Sequence, residues 1–516
     1  MSIYKDRDLL KKCIEREATD LFPASVCCHP LDEEVVRKLQ NLWSKFDTDS
    51  DDFRIFKFRK EFIDPLWKML IEKAIKCLRY YDTREPFSGN PGQKVPKAYG
   101  IVEIKKYYDQ YTDFESVLYG ANSYYRDHVV HVFRTWLLGV RLLVKNNGEY
   151  LNEIKLHEKD MDVALENSEK LSMWTIIALT HDLGYPLQKA KSIIDTTKSM
   201  VSTFISNPDI SLDFSFHGVQ NYMNDFIVRL MSSRMRKSDK NEQTDVEEAE
   251  SMYAARLQPK YYFKFLKSLE ENQHGILSTL IIYKLLTYFI ESDFNINEDY
   301  LFDEDDARQF YIRREILRAI ASHTCDDVYQ LYMTSFSFLL RICDDAQEWG
   351  RKNITELYVK SAKVYELIKL DFIFDNANAS HNCIVEEKLE ISDEQDAVIS
   401  AINRFRKQAL VYVMIFRDGQ DTVSRDFSFE RKLTIKCSGL VINLSLEIPK
   451  ESKSELSVTI EYVSDGNTNK KFSKEFFKDI KGIEEQFKIV DRNDSVVDEN
   501  SYQEWKTGTF TISLLE

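Results

Sequence analysis

Trp174-Thr175-Ile176-Ile177-Ala178-Leu179-Thr180-His181-Asp182-Leu183-Gly184-Tyr185-Pro186 is the stretch on which the fold turns. Its apolar first half, Trp174 to Leu179, predicts a buried helix, and Gly184 and Pro186 then stop that helix at once. The helix delivers an imidazole and a carboxylate side by side at a buried end, where a charged group without a partner is costly. A divalent metal ion is one such partner. A His-Asp pair alone is a weak signal, so its meaning depends on what else the chain presents in the same way.

Several other segments share the design. From Ser123 to Leu143 one helix is expected, with Val129, Val132, Phe133, Trp136 and Val140 at helical spacing on an apolar face. His128, His131 and Arg134 recur every third residue and form a ridge along one side of it. A helix over 263–290 carries His274-Gly275 ahead of Ile276, Leu277, Leu280, Ile281 and Leu285, and a helix over 306–322 runs into His323. A helix over 328–349 brings Phe336, Phe338, Leu339, Leu340 and Ile342 up to Asp344.

The candidate ligands are therefore His131, His181, Asp182, His274, His323 and Asp344, each on or at the end of an expected helix. Imidazoles with two carboxylates suit manganese, iron, nickel, cobalt or zinc better than magnesium, which favours all-oxygen cages. His131, His181, Asp182 and Asp344 can hold one ion and leave positions for water and a substrate oxygen. His274 and His323 can hold a second with Asp182 bridging, or serve the phosphate and the leaving group. Of the other histidines, His157 is expected at the surface, His217 is ambiguous and His381 sits in an expected loop.

His131-x-x-Arg134, His181-Asp182, His274-Gly275, the isoleucine-led His323 and Asp344, in that order between residues 121 and 351, resemble the HD-domain metal-dependent phosphohydrolase superfamily. The resemblance implies an HD-type helical bundle, one or two divalent metals, and phosphoester or phosphoanhydride hydrolysis by metal-activated water. Asp182, His274 and His323 are then the expected catalytic groups. Arg126, Arg134, Lys189 and Arg351 are expected phosphate contacts by charge and position, with His128 and Tyr185 beside them. His181-Asp182-Leu183-Gly184-Tyr185-Pro186 is superficially similar to the HD-GYP cyclic-dinucleotide phosphodiesterases, but Thr324 follows His323 where those carry a second histidine. Deoxynucleotide triphosphohydrolases carry further histidines just after the His-Asp pair, where this chain has Tyr185 and Gln188. The expected substrate is a nucleotide, a deoxynucleoside triphosphate first and a cyclic mono- or dinucleotide second. A non-catalytic nucleotide sensor on the same fold is the alternative to an enzyme.

The 516 residues suit roughly two to four domains. A hydrophobic content of 43% with 30% charged residues describes a globular chain. A net charge of −15 argues against a general nucleic-acid coat or an anionic-membrane binder, while leaving room for a local basic site for phosphates. Lys284 interrupts the longest apolar run, which is too short for a bilayer span, and the charged N-terminus lacks a signal-peptide core. Eight scattered cysteines, with Cys27-Cys28-His29 too sparse for zinc, read as reduced thiols in the cytoplasm.

The expected fold is mainly α: a helical N-terminal region over 1–120, the HD-type domain over 121–352, and a β-rich α+β domain over 353–516. A charged stretch over about 232–260 reads as an insertion or lid. In the last domain, strands are expected at 411–416, 432–436, 440–448, 456–462 and 509–514. That domain suits regulation or oligomerisation, so a homo-oligomer and a nucleotide effector are the expected partners.

Overall fold

A computed structural model of the chain describes residues 4–22, 29–45, 59–83, 100–121, 126–156, 161, 163–206, 219–238, 252–291, 300–325, 331–351, 363–375, 380–391, 395–415, 427–437, 440–449, 455–462 and 509–513. The protein is mainly α-helical, with a β-sheet region toward its C-terminal end. It divides into two compact units, one of Asp6–Val328 with Tyr332–Asp344, the other of Asp345–Glu516 with Met1–Lys5 and Tyr329–Leu331. Residues 6–120, expected as a region of their own, belong to the first unit. The expected boundary at 352/353, like His157 and His217, lies outside the described residues.

The first unit begins with α1 (Asp6–Ile14), α2 (Arg16–Asp20) and α3 (Glu33–Lys45). A π-turn over Arg59–Ile63 leads into α4 (Asp64–Thr83), followed by α5 (Ile101–Ala121), α6 (Val129–Glu153) and α7 (Asn167–Thr180). After α8 (Tyr185–Val201) and α9 (Val219–Ser232) come two short strands, β1 (Ser233–Lys237) and β2 (Tyr253–Leu257). The unit closes with α10 (Pro259–Glu270), α11 (His274–Leu285), α12 (Glu304–Ser322) and α13 (Phe336–Ala346).

Helix α7 is the axis of this unit, with every residue from Ser168 to Thr180 buried. Burial all round demands that its polar side chains be satisfied locally. Ser172, Thr175 and Thr180 accordingly donate to the carbonyls of Ser168, Leu171 and Ile176, each one turn back. Glu169 takes Arg308 of α12 at 2.5 Å, and Lys170 donates to Leu151 O of α6 at 2.8 Å. Against α6, Trp136 Nε1 donates to Thr175 Oγ1 at 3.0 Å and Trp174 Nε1 to Trp136 O at 3.1 Å. The Trp174 ring can lie there only because residue 139 is glycine: a Cβ at Gly139 would stand 2.0 Å from Trp174 Cζ2. Gly139→Ala should therefore destabilise the protein by about 1–3 kcal/mol, the usual range for overpacking a filled core, read as a lowered urea midpoint. An unchanged midpoint would mean that this packing is not as described.

Local chemistry redraws three of the expected boundaries. The single helix expected over 263–290 is broken at Asn272, whose φ of +54° lets α10 end, so His274 opens α11 instead of lying inside a helix. The helix expected from 328 begins at Phe336, because Ser335 Oγ accepts the Phe338 N–H at 3.2 Å and caps it. The charged stretch expected as an insertion or lid holds, in its described part, the antiparallel ribbon β1–β2, with Met235 and Ala255 paired and buried beneath it.

In the second unit β3 (Val364–Asp375), β4 (Ser380–Ile391), β5 (Phe427–Cys437), β6 (Leu440–Ile448), β7 (Glu455–Tyr462) and β8 (Thr509–Ser513) form one sheet in chain order. Only β4 and β5 are parallel neighbours, and the crossover between them contains α14 (Gln395–Ile415). The strand expected at 411–416 is thus corrected, since 411–415 are the last turn of α14. Val398, Ile402, Phe405, Ala409 and Tyr412 are buried at alternating spacings of four and three, the stripe of a packed helix. The interior of this unit holds an ion pair: Arg431 Nε donates to Glu387 Oε2 at 2.8 Å and Arg431 Nη2 to Oε1 at 3.1 Å, while the Tyr365 hydroxyl donates to the same carboxylate.

Candidate metal centre

Two helix C-termini build the floor of the site in the same way. His181 is the C-cap of α7 and turns Nδ1 back onto Ala178 O at 2.8 Å, three residues earlier. His323 is the C-cap of α12 and turns Nδ1 onto Ile320 O at 2.5 Å, again three residues earlier. A carbonyl can only accept, so in both rings Nδ1 carries a proton and Nε2 is the atom available as a ligand. Each histidine uses a carbonyl that its helix leaves unpaired at that end. The two negative helix ends also favour a cation in the space between them.

His274, at the first position of α11, completes the pattern by donating Nδ1–H to Gln188 Oε1 of α8 at 2.7 Å. Its place depends on a close approach, because a Cβ on Gly184 would meet His274 O at 2.5 Å and Leu277 Cβ at 2.6 Å. Ser278 ties the same turn down, donating to His181 O at 2.6 Å and accepting from Gly184 N at 2.8 Å. Trp67 of α4 donates to Leu179 O at 2.8 Å, and Arg341 of α13 donates to His323 O.

Asp182 lies at the centre. Its Oδ2 is 3.5 Å from His181 Nε2 and 3.8 Å from His131 Nε2, while its Oδ1 is 3.2 Å from His274 Nε2 and 3.7 Å from His323 Nε2. Asp344 closes the first side, with Oδ1 2.8 Å from His131 Nε2 and 3.8 Å from His181 Nε2. His131–His181–Asp182, His181–His323–Asp344 and Asp182–His274–His323 each bring their ligand atoms within 4.8 Å of one another. His181 Nε2 is buried and makes no hydrogen bond, which is costly whether that nitrogen bears a proton or a lone pair. A buried set of four imidazoles and two carboxylates with such an orphaned nitrogen fits a divalent metal ion. Asp344 and His274 are the most exposed of the six, with side chains 22% and 20% exposed while the other four are 5% or less.

Electrostatics agree with a cation site. Burial opposes ionisation of Asp182, but His181, His274 and His323 outweigh it and hold the carboxyl well below its ordinary range. Burial likewise opposes ionisation of Asp344, and His131 and His181 reverse it. For His181 burial disfavours the imidazolium, yet Asp182 and Asp344 prevail and raise it to about 9. Burial is the largest influence on His323 and lowers it. In the metal-free protein at pH 7 His181 therefore carries a proton that a metal must displace. Metal affinity should rise with pH up to about 9 and then level off. Manganese titrations by calorimetry in buffers of different ionisation enthalpy should show about one proton released per binding event at pH 7, and a heat independent of buffer would contradict it.

The expected substrate contacts divide. Tyr185 stacks on His128 with centroids 3.7 Å apart and meets His274 edge-on at 5.2 Å, and Lys189 Nζ lies 5.0 Å from the centre of the Tyr185 ring. These three stand beside the cluster. Arg126 is half-buried just before α6. Arg134 is turned away from the phosphate role: its Nε and Nη2 grip the carboxylate of Asp6 on α1 at 2.8–3.1 Å. Arg351 belongs to the other unit, where it faces Glu348 at 3.8 Å. Gln188 and Ser278 were not expected as site residues. Gln188 was within reach of a sequence reading, since it follows Tyr185 by three residues on a helix face, whereas nothing local marks Ser278.

Compared with protein-family models, curated proteins and solved structures, the chain matches none. No helix among the described residues is long and apolar enough to cross a membrane.

Proposed function

We propose that this protein is a metal-dependent phosphohydrolase of the HD type acting on nucleotides. The observation that carries the reading is the division of labour at Asp182, whose Oδ2 faces His131 and His181 and whose Oδ1 faces His274 and His323. One carboxylate so placed suits a bridge, with His131, His181 and Asp344 completing one ion's set and His274 and His323 the other's. Divalent ions there would supply a water made nucleophilic at neutral pH and a Lewis acid for the phosphoryl oxygens.

The chain's own residues do the rest. The Nδ1 contacts of His181, His323 and His274 fix each ring in the tautomer that presents Nε2, the arrangement by which outer-shell groups orient ligands. The partial exposure of Asp344 and His274 sets the side from which substrate enters. Tyr185 and His128 offer an aromatic surface for a base or sugar, and Lys189 a cation for a phosphate. His274, between Tyr185 and Asp182, is the histidine best placed to reach a leaving group.

Deoxynucleoside triphosphates are the first substrates in this reading. Cyclic nucleotides are a second, favoured by the placement of Asp182 between the two histidine pairs, since two metals held there would be able to take the attacking and the leaving oxygen of a phosphodiester. A panel of dNTPs, NTPs and cyclic mono- and dinucleotides with manganese separates them. Release of tripolyphosphate supports the first and a linear product from a cyclic nucleotide the second. No turnover of any nucleotide by metal-loaded protein rules out both and leaves a nucleotide sensor.

A further inference from the structure

Helix α5 brings to the metal cluster a ridge that the six ligands do not account for. Tyr107, Tyr111 and Glu115 follow one another at intervals of four residues and so line one side of the helix. Both ends of this ridge are pinned to segments that carry metal ligands. The Tyr107 hydroxyl donates to the carbonyl of Leu183, the residue after Asp182, at 2.9 Å. Glu115 Oε1 accepts the backbone N–H groups of His128 and Val129, where the helix that carries His131 begins, at 2.6 and 3.1 Å. Tyr111, midway along the ridge, is therefore held between the two segments that bring Asp182 and His131 to the cluster. The same helix packs against α8 and against α11, which opens with His274.

Tyr111 is only 4% exposed, and its hydroxyl is buried with no hydrogen-bond partner among the described residues. A buried hydroxyl left in that state is costly. Its neighbour on the helix shows the ordinary solution, since the Tyr108 hydroxyl donates to Asp64 Oδ1 at 3.0 Å. Burial pushes the Tyr111 hydroxyl well above its ordinary range, and the carboxylates of Glu115, Asp182 and Asp127 push it further. Near neutral pH it is thus an uncharged donor. Asp182 is close enough to act on the hydroxyl through its charge, yet the two make no hydrogen bond. The donor is left for an oxygen that arrives with a ligand.

We infer that the Tyr111 hydroxyl is a substrate contact of the metal centre, donating its hydrogen bond to a phosphoryl oxygen bound beside Asp182. The inference rests on the phosphohydrolase reading of the same site and adds to it a residue that precedes every metal ligand in the chain. A donor shielded from water stabilises negative charge on such an oxygen without needing to reorient.

The test compares full-length wild type, Tyr111→Phe and Tyr108→Phe, with manganese and inorganic phosphate as probes. Three quantities are read: the urea midpoint in EDTA, the manganese affinity, and the phosphate affinity of the manganese-loaded protein by calorimetry. Tyr111→Phe should bind manganese as wild type does and phosphate about tenfold or more weakly, the scale of a lost hydrogen bond to a charged group. Its midpoint in EDTA should be unchanged or higher, because it loses only an unsatisfied hydroxyl. Tyr108→Phe should do the opposite, lowering the midpoint and leaving phosphate affinity unaltered. A purely structural Tyr111 would lower the midpoint on substitution and leave phosphate binding alone, which overturns the inference. Phosphate bound by neither protein, or equally by wild type and Tyr111→Phe, also overturns it while the metal site stands, as does a Tyr111→Phe chain that fails to fold. Wild type that binds no manganese overturns the phosphohydrolase reading and the inference with it.

Discussion

Replacing His181 and Asp182 together by alanine is expected to empty the cluster of metal and, on the proposed function, to abolish any nucleotide turnover. The pair supplies the buried Nε2 that lacks a hydrogen bond and the carboxylate that faces all four histidines. Loss of a single outer-shell hydrogen bond costs a metal site about 10–100-fold in affinity or activity, so loss of two direct ligands should exceed that range. Gln188→Leu provides the graded comparison. It removes only the acceptor that orients His274 and should fall within the range of about 10–100-fold. Metal analysis of the purified proteins, alongside circular dichroism to check folding, reads the outcome. Equal metal in wild type and in the folded double variant would falsify the site.

The second large effect lies in the sheet. Glu387→Ala should destabilise the protein by about 3–5 kcal/mol, because it leaves the Arg431 guanidinium buried without its carboxylate. The Tyr365 hydroxyl loses the same acceptor. Replacing both partners, Glu387→Leu with Arg431→Met, should recover most of that loss, since a buried ion pair offsets its own desolvation only roughly. Urea unfolding of the single and double variants measures both, and a double variant no more stable than Glu387→Ala would show that the pair has a role beyond cancelling its own charges. Neither substitution touches the metal ligands, so metal content should stay at the wild-type level in any variant that folds.

Much of this protein was legible in its sequence, and for a common reason. His131, His181, Asp182, His274, His323 and Asp344 could be picked out because a ligand-type side chain at the end of an apolar helix is carried into the interior, where it needs a partner. The structure brings all six together. The helical character of the first unit followed from hydrophobic periodicity, which depends only on local spacing. Where short segments misled, a competing physical effect was at work. Residues 411–415 have the composition of a strand, but the four-and-three spacing of Val398, Ile402, Phe405, Ala409 and Tyr412 gives α14 a buried stripe, and packing outweighs local propensity.

What only the tertiary structure decided are contacts between residues far apart in the chain. Arg134 shares a helix with His131 and carries the right charge for a phosphate, yet Asp6, 128 positions away, claims it. Gln188 and Ser278 become site residues only because Gly184 lets α8 and α11 approach closely enough to touch. The sequence by itself determined which residues could bind a metal and which segments would be helices, because both depend on side-chain chemistry and short-range spacing. The assignment of Asp182's two oxygens to opposite sides of the cluster, and of each imidazole's free nitrogen to its interior, was decided by how the helix ends meet. That meeting is set by packing among distant segments, which no local pattern encodes.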